Sequence, residues 1–296
     1  MSRILTRLAI LIAGALMSIS VMGGAAAQDL FNSGKLLATG GVTNIEGAGG
    51  GGIATWALIT GYETRDAVGA NAHYNFVSLP DFTLHTTGVS VGLYDRVELS
   101  YSHLWFDTGN SGAKLGLGTG FTFQQDIFGL KVKVLGDAVY DQDSLLPQIA
   151  VGTQYKVTDH ADILRAVGAK DNAGIDFYVA ATKLFLDQSI LVDTTLRATK
   201  SNQLGILGFG GPRNDDYRPE FEGSIAYLFA KDFAVGAEYR TKQDNLGFTK
   251  ENDWKDLFLA YFVNKHASLT LAYVDLGTIA TFKDQRGFYL SAQVGF

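Results

Sequence analysis

The 296-residue chain carries 24 Lys and Arg against 30 Asp and Glu, for a formal net charge of −6, and it has no Cys. An acidic balance without clustered cations argues against a nucleic-acid partner, and the missing thiols exclude a disulfide framework or a thiolate metal site. Hydrophobic residues make up 47% of the chain. Beyond residue 27, however, no stretch of about 18 continuous apolar residues could form a membrane helix.

In chain order, Arg3 and Arg7 precede an apolar stretch from Leu8 to Met22, and Ala25-Ala26-Ala27 then leads to Gln28. This is the layout of a secretory signal peptide, with Ala25 and Ala27 as the small residues before a cut at Gln28. Residues 1–27 are expected to be removed, leaving 28–296 as one domain. Residues 39–52 form a Gly-rich segment, with Thr39-Gly40-Gly41 followed by Glu46-Gly47-Ala48 and four more Gly. It lacks the Gly-Lys-Ser/Thr of a phosphate loop, and Trp56 to Ile59 beyond it reads as strand. Flexible or tightly turned backbone passing close to a wall is the expected role, with a constriction or partial plug as the functional alternative.

Alternation of apolar and polar side chains then dominates. In 68–76, Val68, Ala70, Tyr74 and Phe76 oppose Asn71, His73 and Asn75. In 220–229, Phe221, Ile225, Tyr227 and Phe229 oppose Glu220, Glu222 and Ser224. In 287–296, Phe288, Leu290, Ala292, Val294 and Phe296 oppose Tyr289, Ser291 and Gln293. Side chains alternate across a strand with period two. Strands are expected near 52–62, 67–77, 82–94, 96–106, 130–140, 147–157, 174–185, 190–200, 218–229, 233–243, 253–264, 268–277 and 287–296. The segment Leu36 to Thr43 is the weakest candidate for a fourteenth. These runs approach the 9–11 residues of a bilayer-crossing strand and exceed the usual strand of a soluble sandwich. Aromatic residues near strand ends, including Tyr62, Tyr94, Trp105, Tyr155 and Trp254, suit interfacial girdles. Short turns alternate with longer loops at 107–129, 158–173 and 201–217, as in outer-membrane barrels.

The expected fold is therefore an all-β transmembrane antiparallel up-and-down barrel of about 14 strands, or 12 if 36–43 lies inside the pore and one further strand assignment falls. Phe296, a terminal aromatic on a strand, resembles the C-terminal signal read by the barrel-assembly machinery. Charges are costly on a lipid face, at roughly 2–4 kcal/mol for a midplane Lys or Arg. Arg96, Glu98, Lys131, Lys133, Asp193, Arg197, Glu220, Glu222, Glu238 and Arg240 are accordingly expected to line the lumen. Two readings stay open: a hydrated pore with charge rings, or an interior knitted shut by ion pairs. The apolar segment around Leu204, Ile206, Leu207 and Phe209 is read first as a plain loop, with folding over the pore mouth or contact with lipopolysaccharide as alternatives.

Catalysis is the weaker reading. Ser102 and His103 are neighbours on a strand and face opposite ways, so they do not pair directly. No His/Asp/Glu set has metal-ligand spacing on one strand face. No catalytic residue, metal or cofactor is expected.

Several phrases occur together: Thr39-Gly40-Gly41-Val42, Tyr94-Asp95-Arg96-Val97-Glu98-Leu99-Ser100, Asp126-Ile127-Phe128-Gly129, Phe221-Glu222-Gly223 and Gly236-Ala237-Glu238-Tyr239-Arg240. Together they resemble a proteobacterial family known only as domain of unknown function 3034. The resemblance covers most of 28–296 and implies an exported, outer-membrane-like protein with no assigned activity to carry over. The expected function is porin-like passage of small solutes, with a structural or adhesive barrel as the alternative and a lipid-acting barrel enzyme behind both. Outer-membrane lipid, lipopolysaccharide and small solutes are the expected partners; no nucleic acid is, and the oligomeric state is open.

Overall fold

The computed structural model describes residues 34–40 and 42–296. The expected signal segment and its cut before Gln28 lie outside the described residues. Two short strands come first, β1 (Val42–Thr43) and β2 (Gly49–Gly50), paired antiparallel. Twelve strands follow: β3 (Val68–Ser78), β4 (Thr83–Leu93), β5 (Val97–Asp107), β6 (Thr122–Leu135), β7 (Gln148–Thr158), β8 (Ala173–Phe185), β9 (Ile190–Thr199), β10 (Arg218–Ala230), β11 (Phe233–Arg240), β12 (Trp254–Asn264), β13 (Ala267–Asp275) and β14 (Arg286–Gly295). Each pairs antiparallel with its sequence neighbours, and β14 pairs with β3 to close the barrel.

The wall thus has 12 strands, not 14. Neither 36–43 nor 52–62 supplies a stave among the described residues; Val42, Thr43 and 52–62 lie inside the lumen, where Ala54, Ala57 and Ile59 are almost fully buried. The strand expected at 130–140 runs instead from Thr122 to Leu135, because Gly136 turns with φ +75° and Asp137 accepts the amides of Val139 and Tyr140.

Alternation places the side chains. Leu257, Ile225, Phe288 and Val294 face outward and are more than half exposed, as lipid-facing residues of a barrel must be. Trp254 and Tyr62, expected in girdles, are buried in the interior instead. One end of the barrel carries the short turns. Two residues each join β10 to β11 and β12 to β13, and in the three-residue β4–β5 turn Tyr94 and Asp95 both have positive φ, the twist that suits a tight hairpin. Register shifts in β6–β7, β10–β11 and β12–β13 all fall near this end. The opposite end carries longer loops, with short helices α1 (Ser111–Lys114) and α2 (Ala161–Ala166). Eight strands enclose little more than their own side chains, and 16–18 leave an aqueous channel. Twelve leave room for one folded-back segment, and the described residues of 35–63 fill it.

Candidate functional site

The interior is built from wall charges that reach the backbone of the enclosed segment, here called the plug. On β5 and β6, Glu98 and Lys131 are direct cross-strand partners, 3.2 Å apart. Glu98 accepts the amides of Gly49 and Thr60, each at 2.9 Å. Lys131 donates to the carbonyls of Gly49 and Leu58 at 2.8 and 2.9 Å. On β11, Glu238 accepts the amides of Gly52 and Ile53 at 2.7 and 2.8 Å. On β10, Glu222 accepts the Thr55 amide at 2.7 Å. Backbone hydrogen bonds that a sheet would have supplied are supplied by side chains of the wall, which lets a strand-poor segment be buried. Glycine makes the approach possible: a Cβ on Gly51 would lie 1.7 Å from a Glu238 carboxylate oxygen.

One plug carboxylate sits at the centre. Glu46 is fully buried, accepts from Lys156 on β7 and from Arg240 on β11 at 2.5 Å, and lies 3.7 Å from Arg197 on β9. The wall carries the remaining balance. Arg197 donates to Glu222 at 2.6 Å and to Gln154 at 2.7 Å, and it stacks over the Tyr178 ring. Asp176 accepts from Lys156 at 2.6 Å. Three cations and several carboxylates without solvent are stable only as a complete set, since a buried charge without its partner costs several kcal/mol.

The residues expected to line a pore divide into three groups. Glu98, Lys131, Arg197, Glu220, Glu222, Glu238 and Arg240 point inward and meet each other, the plug or the loop above it. Asp193 also points inward, accepts from Thr182 at 2.5 Å and has no ion-pair partner among the described residues. Lys133 lies at the short-turn mouth, 2.5 Å from Asp95, which also meets plug Lys35 at 3.0 Å. Arg96 does not line the lumen: it sits in the β4–β5 turn and is exposed, because the strand begins one residue later at Val97. Glu46 and Asn44, the polar heart of the plug, went unmarked by alternation because the plug does not alternate. The available signal was charge: between Lys35 and Glu63 the sequence has one ionisable acid, Glu46, and no base.

A second closure lies at the long-loop end. The loop after β9 folds into the mouth as a lid, burying Leu204, Ile206, Leu207 and Phe209. Gln203 opens a 3₁₀ turn and donates its amide to Glu251, 3.1 Å away, in the β11–β12 loop. Burial pushes the Glu251 carboxyl up to about 7, against the opposing pull of Lys242.

Chemistry is divided between the two faces of the wall. Ser102 points inward and meets His73 Nε2 at 3.3 Å, while His73 Nδ1 has no hydrogen bond. His103 points outward and pairs with Asp126 at 2.7 Å, and Tyr101 donates to the same carboxylate. Tyr101 and His103 both bond the Asp126 carboxylate and not each other, and among the described residues no imidazole that meets a hydroxyl is held in turn by a carboxylate, the order that acyl transfer needs. Nor do three metal-capable side chains cluster there.

A closed antiparallel barrel with an apolar exterior, a charged interior and an inserted N-terminal segment defines an outer-membrane-type barrel with an internal plug. The family model for Protein of unknown function (DUF3034) matches residues 39–293, and the chain belongs to that family. No curated protein matches it. Among solved structures it is similar to the KdgM porin, at 13% identity and a TM-score of 0.50, covering 76% of this chain and 99% of that one. A structure of the KdgM porin in complex with disordered oligogalacturonate gives the same values. A structure of the NanC porin is matched at 10% identity and a TM-score of 0.46, covering 77% and 98%. At these identities the likeness concerns the fold.

Proposed function

We propose that this protein is a porin-like channel of the bacterial outer membrane, exported by a signal peptide cut before Gln28, through which small solutes diffuse when plug and lid leave the lumen. The observation that carries the reading is the division of labour inside the barrel. The wall is a complete ring of ladders that needs nothing from the plug, yet the lumen charges are neutralised partly by one plug residue, Glu46. A segment that is covalently continuous but contributes no wall strand can move without opening a sheet. The barrel of KdgM, captured with oligogalacturonate, supports the reading by showing that this architecture accommodates a solute elsewhere. Conduction would be diffusion filtered by the lumen charges, without a cofactor. The dense plug favours a second reading, a structural barrel that stays shut.

Single-channel recording separates the two. Residues 28–296 in a planar bilayer are expected to give rare current steps, and deletion of Glu46 to Gly52 is expected to make them frequent. Silence from both proteins, each shown to be folded by heat-modifiable migration, would establish the structural reading.

A further inference from the structure

We propose that the outer half of the lumen is a binding site for small amphipathic molecules, each an aromatic or aliphatic body with a hydrogen-bond-accepting head such as a carboxylate. This rests on the channel reading and names its solute class. The wall changes character along its height. The level of Glu46 is charged, whereas towards the long-loop end the inward side chains are Val77 on β3, Leu84 on β4, Phe106 on β5, Trp254 on β12, and Leu276 and Ile279 beyond β13. These line a narrow cavity closed below by plug Ile45 and above by lid Ile206 and Leu207. Such a wall offers nothing to the hydroxyls of a sugar, and barrels that pass polar solutes keep polar interiors.

Trp254 links the cavity to a charged cluster. Lys242 Nζ lies 5.1 Å from the centre of the Trp254 ring, with its side chain fully buried. Glu220 and Glu251 stand 3.8 and 3.7 Å from Lys242 Nζ, outside hydrogen-bond reach, and Nζ makes no hydrogen bond. The Trp254 indole N–H, also buried, makes none either. An unspent indole N–H on the wall of an apolar slot, with a cation beside its ring, is a recognition pattern for an acceptor head, because a buried donor left unpaired is costly and a ligand that pairs it gains that cost. The body of the ligand takes the space of Ile206 and Leu207. Gln203, the one polar lid residue at the cavity, moves with them.

The chain has three Trp, so Trp56→Phe with Trp105→Phe leaves Trp254 as the only indole reporter. That variant of residues 28–296, in nanodiscs, is titrated with 4-bromobenzoate, whose bromine quenches on contact, and with galacturonate as the polar control. The expected result is saturable quenching by 4-bromobenzoate, none by galacturonate, and at least tenfold weaker binding after Lys242→Met. Calorimetry on the protein with all three Trp should give the same ranking. Quenching that never saturates, or equal binding of galacturonate, would overturn the proposal. Bilayer recordings keep the two readings apart. Current steps without saturable binding sink the solute class and leave the channel. Saturable binding with no current, even after deletion of Glu46 to Gly52, supports the site and overturns the channel.

Discussion

At the level of single residues, Glu46 holds the closed state together. It brings one negative charge to a place where Lys156, Arg197 and Arg240 converge from three strands. Removing one partner of a buried ion set typically costs about 3–5 kcal/mol, because the charges left behind stay desolvated. The wall survives Glu46→Gln, since no ladder passes through residue 46. The cost falls on docking of the plug. Glu46→Gln is therefore expected to raise open probability in bilayer recordings by a factor of ten or more, with the heat-modifiable migration of the barrel unchanged. An equal open probability would mean that backbone hydrogen bonds to Glu98, Glu222 and Glu238 hold the plug without help from charge. Gly47 is a second lever. It has φ +87°, and a Cβ there would lie 1.8 Å from Ser102 Oγ. Gly47→Ala should loosen the plug in the same assay, and Ser102→Gly should restore only part, since the left-handed backbone still disfavours a side chain.

At the level of elements, the lid has a titratable contact at Glu251. In the closed lid, burial raises Glu251 to about 7 from an ordinary 4.5. The closed lid therefore binds more protons than the open one between those values, and its stability falls as pH rises. The lid is expected to be firmest below about pH 4.5 and to lose that contribution by about pH 7. Amide exchange at Gln203, whose N–H donates to Glu251, should accelerate across that window beyond the intrinsic trend. Glu251→Gln should flatten the response; a persistent slope would place the titrating group elsewhere. The sequence at 204–211 offered the lid only as an alternative to a plain loop, through the apolar side chains of Leu204, Ile206, Leu207 and Phe209, which are costly to expose to water. Most wall strands were legible because one face meets lipid and the other does not. The segment 52–62 misled for a physical reason. Inside a lumen every direction is protein, so Ile53, Thr55, Trp56 and Leu58 are all buried whichever way they point, and a short polar–apolar rhythm there carries no orientation. The same holds for the lumen charges: their inward aim followed from the lipid outside, but their partners lay on a segment that periodicity could not place.

At the level of the whole molecule, barrel and plug are held by different forces. Each wall strand has two neighbours, so the sheet has no edge from which to fray. The plug has one two-residue ladder and a few backbone turns of its own, such as Ile45 N–H to Gly52 and Trp56 N–H to Gly49, and it is tied to the wall mainly by side chains. Urea competes for such polar contacts at both levels, but separating a stave breaks two ladders at once, while extracting the plug breaks none. Unfolding should therefore occur in two steps. Trp56 reports the first, because its indole N–H donates to Ser224 on β10 at 2.8 Å and its ring is buried against the wall. With Trp105→Phe and Trp254→Phe, Trp56 emission should shift to the red at a urea concentration where far-ultraviolet dichroism still shows full strand content. Glu46→Gln should move the fluorescence midpoint to lower urea and leave the dichroism midpoint in place. Coincident transitions in both proteins would mean that plug and wall fold as one cooperative unit. A plug of that kind would not leave a standing barrel, and conduction would then require a rearrangement within the plug.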